Sequence, residues 1–98
     1  MSDSDKQKPQ EIQIQISQEI QGGVYANNMV VAHTQEEFVL DFIMATPPAG
    51  TVNARVVVSP SHAKRIAAAL LENVAKYEER FGEIKDVPAA MPEGAVSH

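Results

Sequence analysis

The chain has 98 residues and a formal net charge of −5, and it contains no cysteine. This length allows one domain, and without disulfides or thiolate metal sites the common way to stabilise so small a core is oligomerisation. The acidic balance argues against a general nucleic-acid binder and against adsorption to an anionic membrane.

Both ends of the chain are predicted to be tails around a single domain of residues 11–84. Residues 1–10 are polar and charged, and without apolar groups to bury we expect them to be disordered. Residues 85–98 carry two prolines, a glycine and small residues, which predicts a flexible tail. No apolar run approaches the roughly 20 residues of a membrane span, and the start lacks the apolar region of a secretory signal. We therefore expect a cytoplasmic protein.

The first predicted strand is the segment EIQIQIS, residues 11–17. Its isoleucines at 12, 14 and 16 alternate with glutamine and serine, which is the period of a strand with one apolar face. Gly22-Gly23 then breaks the chain. The second predicted strand covers residues 24–33, with Asn27-Asn28 as a candidate bulge, and the short connection TQEE leads to the third.

The third and fourth predicted strands, residues 38–45 and 51–58, flank a loop that contains Pro47-Pro48. One face of the third strand carries Phe38, Leu40, Phe42 and Met44, and the other carries Val39, Asp41 and Ile43. The fourth divides into Val52, Ala54, Val56 and Val58 against Asn53, Arg55 and Val57. A hairpin about the proline loop sets Asp41 opposite Arg55. We interpret this as an ordinary cross-strand ion pair, with a buried recognition pair as the alternative.

A long helix follows the fourth strand at once. Ser59 is a good N-cap and Pro60 suits the first helical position, where its missing N–H costs nothing. Gly82 is placed to end the helix in a left-handed conformation. The apolar residues recur at helical spacing and form one stripe. This stripe consists of Ala63, Ile66, Ala67, Leu70, Val74, Tyr77 and Phe81.

These elements predict an α+β fold: a four-stranded antiparallel sheet in the order β-β-β-β-α, with the long C-terminal helix packed on one face. The helix should cover Phe38, Leu40, Phe42, Val56 and Val58. An apolar second face would then stay open, which is rare in a lone small domain. We expect it to meet a partner, most simply a second copy related by twofold symmetry. The predicted interface residues are Met29, Val31, Val39, Ile43 and Val57 of the sheet and Leu71 of the helix flank.

The sequence gives little support for a catalytic, metal or phosphate-binding site. His33, His62 and His98 have no neighbours at metal-ligand spacing, and Ser59 and Ser61 beside His62 are more simply capping residues than a nucleophile and base. There is no glycine-rich phosphate loop. We therefore predict neither a catalytic site, nor a metal, nor a cofactor, and expect that the protein is not an enzyme.

Four basic residues of the helix form a small strip that would suit a phosphate or an acidic partner. The simpler interpretation, given the acidic total, is a solvated helix face with internal ion pairs. These four residues are Lys64, Arg65, Lys76 and Arg80.

The run from residue 24 to residue 82 resembles a family of short bacterial and archaeal proteins that is catalogued only as a domain of unknown function. The similar features are Leu40-Asp41-Phe42, Pro47-Pro48, the helix start from Ser59 to Arg65, and the helix end from Tyr77 to Gly82. The resemblance implies a single domain and carries no activity. The order of four strands and a long helix, beginning with IQIQIS, also looks like the SecB type of export chaperone, although the second half of that family's helical region is missing here.

Three hypotheses of function follow. The first is a homo-oligomeric interaction module that binds protein through its apolar sheet face or a strand edge. A more specific form of it is a SecB-like chaperone that holds unfolded polypeptide as its client. The second is a nucleic-acid-associated accessory protein that uses the basic strip, although the net charge makes nucleic acid a poor partner. The third is an enzyme subunit or regulator.

Overall fold

The computed structural model describes residues 11–86. The elements are a short helix α1 (Gln18–Gln21), the strands β1 (Asn28–His33), β2 (Phe38–Thr46) and β3 (Ala49–Val58), and the long helix α2 (Pro60–Phe81). The strands form one antiparallel sheet in the order β1-β2-β3, with β2 at the centre. The predicted α+β class is confirmed. No helix in residues 11–86 has the length and apolarity needed to cross a membrane.

The first predicted strand does not form. Residues 11–17 have no regular secondary structure, and Ile12, Ile14 and Ile16 are 80%, 94% and 61% exposed. The sheet described here therefore has three strands instead of four. The pattern of this segment is that of a strand, but a strand is stable only when a neighbour accepts its backbone hydrogen bonds, and residues 11–86 of a single chain supply no such neighbour.

β1 begins four residues later than predicted, because the residues before it cross the sheet and bind to β2 and β3. The N–H of Asn27 donates to the carbonyl oxygen of Ile43 at 3.0 Å. The side-chain amide of Asn27 accepts from the N–H of Ala45 at 2.8 Å and donates to the oxygen of Ala45 at 2.9 Å. The side chain of Asn53 on β3 donates to the oxygen of Tyr25 at 2.9 Å. Residues 25–27 are thus attached to both β2 and β3.

Both strand connections form where the sequence predicts them, and the second is shorter than predicted. In the first, the hydroxyl of Thr34 accepts from the N–H groups of Glu36 and Glu37, at 3.1 and 3.2 Å, which holds a tight turn. In the second, Thr46 pairs with Ala49, so the connection consists only of Pro47 and Pro48, joined by a cis peptide bond. Because β3 starts at Ala49, this hairpin is tighter than the predicted loop of five residues.

A bulge in β3 alters one predicted face. Phe42 pairs with Ala54 and Ile43 pairs with Val52, so Asn53 is an extra residue on its strand. Residues directly opposite each other share a face, and Val52 therefore lies beside Ile43. The prediction that Val52 shares a face with Ala54 and Val56 is wrong, because an extra residue reverses the alternation of the strand.

Helix α2 begins and ends at the predicted residues. The hydroxyl of Ser59 accepts from the N–H of His62 at 3.1 Å, and Pro60 is the first helical residue. At the other end, the N–H of Gly82 donates to the oxygen of Glu78, and the carboxylate of Glu78 accepts from the N–H of Ile84 at 2.9 Å. Gly82 has φ 96° and ψ 170°, a conformation that favours glycine but lies outside the predicted left-handed helical region.

The core is very small. Within residues 11–86, the buried apolar residues are Leu40 and Ile43, which are 9% and 6% exposed. No residue of α2 is buried, so the helix shelters less of the sheet than predicted. Val56, expected beneath the helix, stays substantially exposed. The predicted N-terminal tail, residues 1–10, and residues 87–98 of the predicted C-terminal tail lie outside the described residues.

Candidate functional site

An apolar groove lies between one face of the sheet and the first half of α2. Its volume is about 250 Å³. We call it the groove, and its lining residues are Met29, Val31, Phe38, Leu40, Phe42, Ala63, Ile66, Ala67 and Leu70. Every one of these side chains is apolar, so the groove offers contact area and no group for chemistry.

Strand register and helix periodicity bring these residues together. Met29 pairs with Phe42 and Val31 with Leu40, so their side chains share the groove face of the sheet. The Ser59-Pro60 junction turns the chain directly from β3 into α2. The helix residues at three- and four-residue spacing then face the same space. The sequence identified these helix residues, but it placed Met29 and Val31 on the wrong face.

The apolar stripe of α2 continues beyond the groove. Val74, Tyr77 and Phe81 are not among the groove residues, and all three are substantially exposed. The rings of Tyr77 and Phe81 lie 4.9 Å apart between centroids, and the guanidinium carbon of Arg80 is 5.3 Å from the centre of the Phe81 ring. The last two turns of the helix therefore present an aromatic surface to solvent.

The opposite face of the sheet carries three of the six predicted interface residues. Val39 pairs with Val57, and Ile43 lies on the same face. Val57 is exposed and Val39 half-buried, whereas Ile43 is buried at the end of the sheet where residues 25–27 are attached. Leu71 lies on the helix flank, outside the groove, and is 72% exposed. The predicted interface set is thus divided among two sheet faces and the helix.

Asp41 and Arg55 lie opposite each other, as the sequence predicts. Nε of Arg55 donates to Oδ1 of Asp41 at 2.7 Å, and Nη2 donates to Oδ2 at 2.9 Å. This bidentate hydrogen bond, ahead of the charge attraction, lowers the pKa of Asp41 and raises the pKa of Arg55. The side chains are 16% and 64% exposed. This favours an ordinary cross-strand ion pair over a buried recognition pair.

Three of the four basic residues on α2 already have neighbours on the same helix. Nζ of Lys76 lies 3.1 Å from a carboxylate oxygen of Glu72, and the guanidinium of Arg65 donates to the hydroxyl of Ser61 at 2.9 Å. Arg80 lies over Phe81 as described above. Lys64 is exposed in the second turn. Arg65 and Lys76 are separated by about three turns of the helix, and the local contacts of the strip fit the simpler interpretation of a solvated helix face.

The described histidines have local contacts. The His33 ring stacks on Phe38 with a centroid distance of 5.1 Å, and Nδ1 of His62 lies 3.3 Å from Nη2 of Arg65. Within residues 11–86, no group of three His, Asp or Glu side chains lies close enough together to hold a metal ion. His98 lies outside the described residues.

The sequence reasoning missed the crossing of residues 25–27 over the sheet. Asn27 provides a donor and an acceptor to Ala45 in the way that a neighbouring strand would. The doubled asparagine at 27–28 was the only signal, and it was interpreted as a bulge. Asn53, placed at the β3 bulge, holds the other end of this crossing.

The comparisons with known proteins identify a family. The model of the family DUF3467, described as a protein of unknown function, matches residues 1–86. The chain therefore belongs to this family, which confirms the resemblance to a domain of unknown function. No curated protein and no solved structure matches the chain, so the likeness to SecB-type chaperones gains no support.

Proposed function

We propose that this member of the DUF3467 family is a homo-oligomeric protein–protein interaction module, whose groove and helix stripe meet those of a second copy. The observation that carries the proposal is the small core. Within residues 11–86, buried apolar residues are limited to Leu40 and Ile43, whereas large apolar side chains from Ile12 to Ile84 are exposed. A chain with so little of its apolar surface buried gains little free energy from folding alone.

The exposed area matches what a dimer needs. Complete burial of one large apolar side chain stabilises by about 1.5–3 kcal/mol. At about 25 cal/mol per Å², this corresponds to roughly 60–120 Å² of buried area. The sixteen large apolar residues that are exposed within residues 11–86, counted over both sheet faces, the helix and the N-terminal segment, then offer on the order of 500–1000 Å² per chain if each buries about half of that. A standard interface buries about 800 Å² on each partner. A second copy supplies the same surface, and twofold symmetry lets each stripe meet the other.

Sedimentation at micromolar concentration tests this proposal. The wild-type chain should sediment as a dimer or larger. Val74→Glu places a charge in the exposed stripe, and Asn73→Glu places the same side chain one residue away, on the polar side of the helix. Losing one buried valine from each of two copies costs about 3 kcal/mol, so Val74→Glu should raise the dissociation constant about 100-fold.

The matched variant Asn73→Glu should dissociate like the wild type. A wild-type chain that stays monomeric at micromolar concentration contradicts the proposal, and so does equal dissociation of the two variants. The cytoplasmic location and the absence of enzymatic activity stay predictions from the sequence.

A SecB-like chaperone role is the second candidate, and the open groove favours it. A wholly apolar groove accessible from solvent suits an extended apolar segment of an unfolded client. A titration with a permanently unfolded polypeptide distinguishes the two functions. Binding that competes with self-association supports the chaperone role, whereas absence of binding by an intact dimer removes it.

A nucleic-acid-associated role would depend on the basic strip of α2. Its support is the alignment of Arg65, Lys76 and Arg80 along one helix face, against a net charge of −5. Phosphate contacts strengthen as salt is lowered, so a gel shift at low salt is the most permissive test. Absence of a complex there removes this candidate.

A further inference from the structure

Residues 11–17 combine the sequence pattern of a strand with the lack of a pairing strand within residues 11–86. Ile12, Ile14 and Ile16 are among the exposed apolar residues of this part of the chain. Alternation of β-branched residues with glutamine is typical of an edge strand with one apolar face. The segment therefore has the sequence of a strand and lacks a neighbouring edge among the described residues.

The path of the chain brings the residues before β1 across the sheet to β3. Asn28 is the first residue of β1, and Asn27 is bound to β2 through Ile43 and Ala45. Tyr25 is bound to Asn53 of β3. Because β2 is the central strand, the chain crosses the sheet between these contacts, and residues before Tyr25 leave the sheet on the β3 side.

The outer edge of β3 is free and suited to pairing. β3 has ten residues, and β2 is its only neighbour within residues 11–86. Proteins commonly protect a free edge with proline, lysine, an inward charge or a bulge. β3 contains neither proline nor lysine, and the charge of Arg55 is held by Asp41 on the neighbouring strand. The bulge at Asn53 leaves residues 54–58 as a regular stretch of the edge. Its backbone groups therefore offer a site for an added strand.

We propose that residues 11–17 of one copy form a β-strand along the free edge of β3 in a second copy, in reciprocal exchange. This inference rests on the proposed homo-oligomer. The edge and the segment belong to the same chain, yet they stay unpaired in a single copy. The segment leaves its own sheet at the β3 side, so twofold symmetry brings it to the same edge of the partner.

The exchanged strand completes the four-stranded sheet that the sequence predicts. The isoleucine row extends the groove face, beside Ala54, Val56 and Val58, and the glutamine row lies on the face of Arg55. Val56 is exposed in the single chain, and the isoleucines cover it. The added strand thus contributes backbone hydrogen bonds as well as apolar contact to the dimer.

An isotope-filtered NMR experiment on mixed dimers tests the exchange. One chain carries labelled isoleucine methyl groups, and the other carries labelled valine methyl groups. We expect contacts from the isoleucines of residues 12–16 to Val56 or Val58 of the other chain, and slowed exchange of the backbone amides of residues 11–17. Contacts only within one chain, or no contacts in an intact dimer, overturn the exchange.

Two matched substitutions give an independent measurement. Ile14→Ser removes an apolar side chain that is exposed in the single chain, so the fold of each copy should survive. It should raise the dissociation constant at least about tenfold, whereas Gln13→Ser should leave that constant unchanged. Equal constants for Ile14→Ser and wild type overturn the exchange.

The two proposals fail in different ways. If deletion of residues 1–17 leaves the dimer intact with the same dissociation constant, the exchange is wrong and the interaction module stands. If the full-length chain is monomeric at micromolar concentration, the interaction module is wrong and the exchange is overturned with it.

Discussion

Asp41 and Arg55 lock the register of β2 against β3 through two parallel hydrogen bonds. The fork of the guanidinium matches the two oxygens of the carboxylate, which lysine would not reproduce. Because Arg55 is largely exposed, solvent screens the attraction and its contribution to stability is modest. Its main effect is to select the pairing that sets Val39 opposite Val57 and Leu40 opposite Val56.

The ion pair predicts a specific dependence of stability on pH. The pKa of Asp41 is lowered in the folded chain, chiefly by the hydrogen bonds from Arg55. A lowered folded pKa gives a contribution that is present above the unfolded value near 4 and is lost as pH falls through the folded value. Asp41→Asn should therefore be less stable than wild type near neutral pH, and the difference should shrink in acid.

Urea midpoints measured at one protein concentration across this pH range check the prediction. Arg55→Lys serves as the control, because it keeps the charge and loses the bidentate geometry. A difference between Asp41→Asn and wild type that is constant from neutral pH to strong acid would contradict the assigned pair.

Helix α2 depends on a cap at its first residue. The hydroxyl of Ser59 accepts from the N–H of His62, whereas Ser17 makes no such bond at the start of α1. Ser59→Ala should therefore destabilise the fold by about 1 kcal/mol. Ser59→Asn should keep most of the stability, and Ser17→Ala should leave it unchanged. Urea denaturation measures all three, and equal effects of the two alanine substitutions would show that the cap does not matter.

The elements differ in how far the sequence could predict them. The β2–β3 hairpin and α2 were predicted because each has a local signal: opposite charges at one register, and a cap followed by a regular stripe. β1 has apolar residues on both of its faces, with Met29 and Val31 on one and Val30 and Ala32 on the other. Alternation alone cannot choose between them, so the face assignment failed.

Two features could not be predicted from local signals. The extra residue Asn53 reverses the faces of β3 without changing its composition. The crossing of residues 25–27 depends on hydrogen bonds between residues 18 and 28 positions apart in sequence. The helix side of the groove and the three β2 residues in its lining follow from periodicity. Met29 and Val31 of β1 required the register.

In the whole molecule, the small core couples folding to the proposed assembly. If the dimer completes the core, each tenfold rise in protein concentration should add about 1.4 kcal/mol to the apparent stability of the dimer. The melting temperature should then rise with concentration. Calorimetry over a dilution series measures this, and Val74→Glu should weaken the dependence. A melting temperature that is independent of concentration would mean that the single chain is stable alone.

The direct junction of β3 with α2 has a mechanical consequence. No loop separates Val58 from Pro60, so Ser59 alone joins a rigid sheet to a rigid rod of 22 residues, which is about 33 Å long. A rotation of about 10° at this joint would move the end of the rod near Phe81 by about 6 Å. A small rotation at Ser59 would therefore be amplified along the helix into a large displacement of Tyr77 and Phe81. Spin labels on β2 and on the last helical turn would measure whether such a movement occurs.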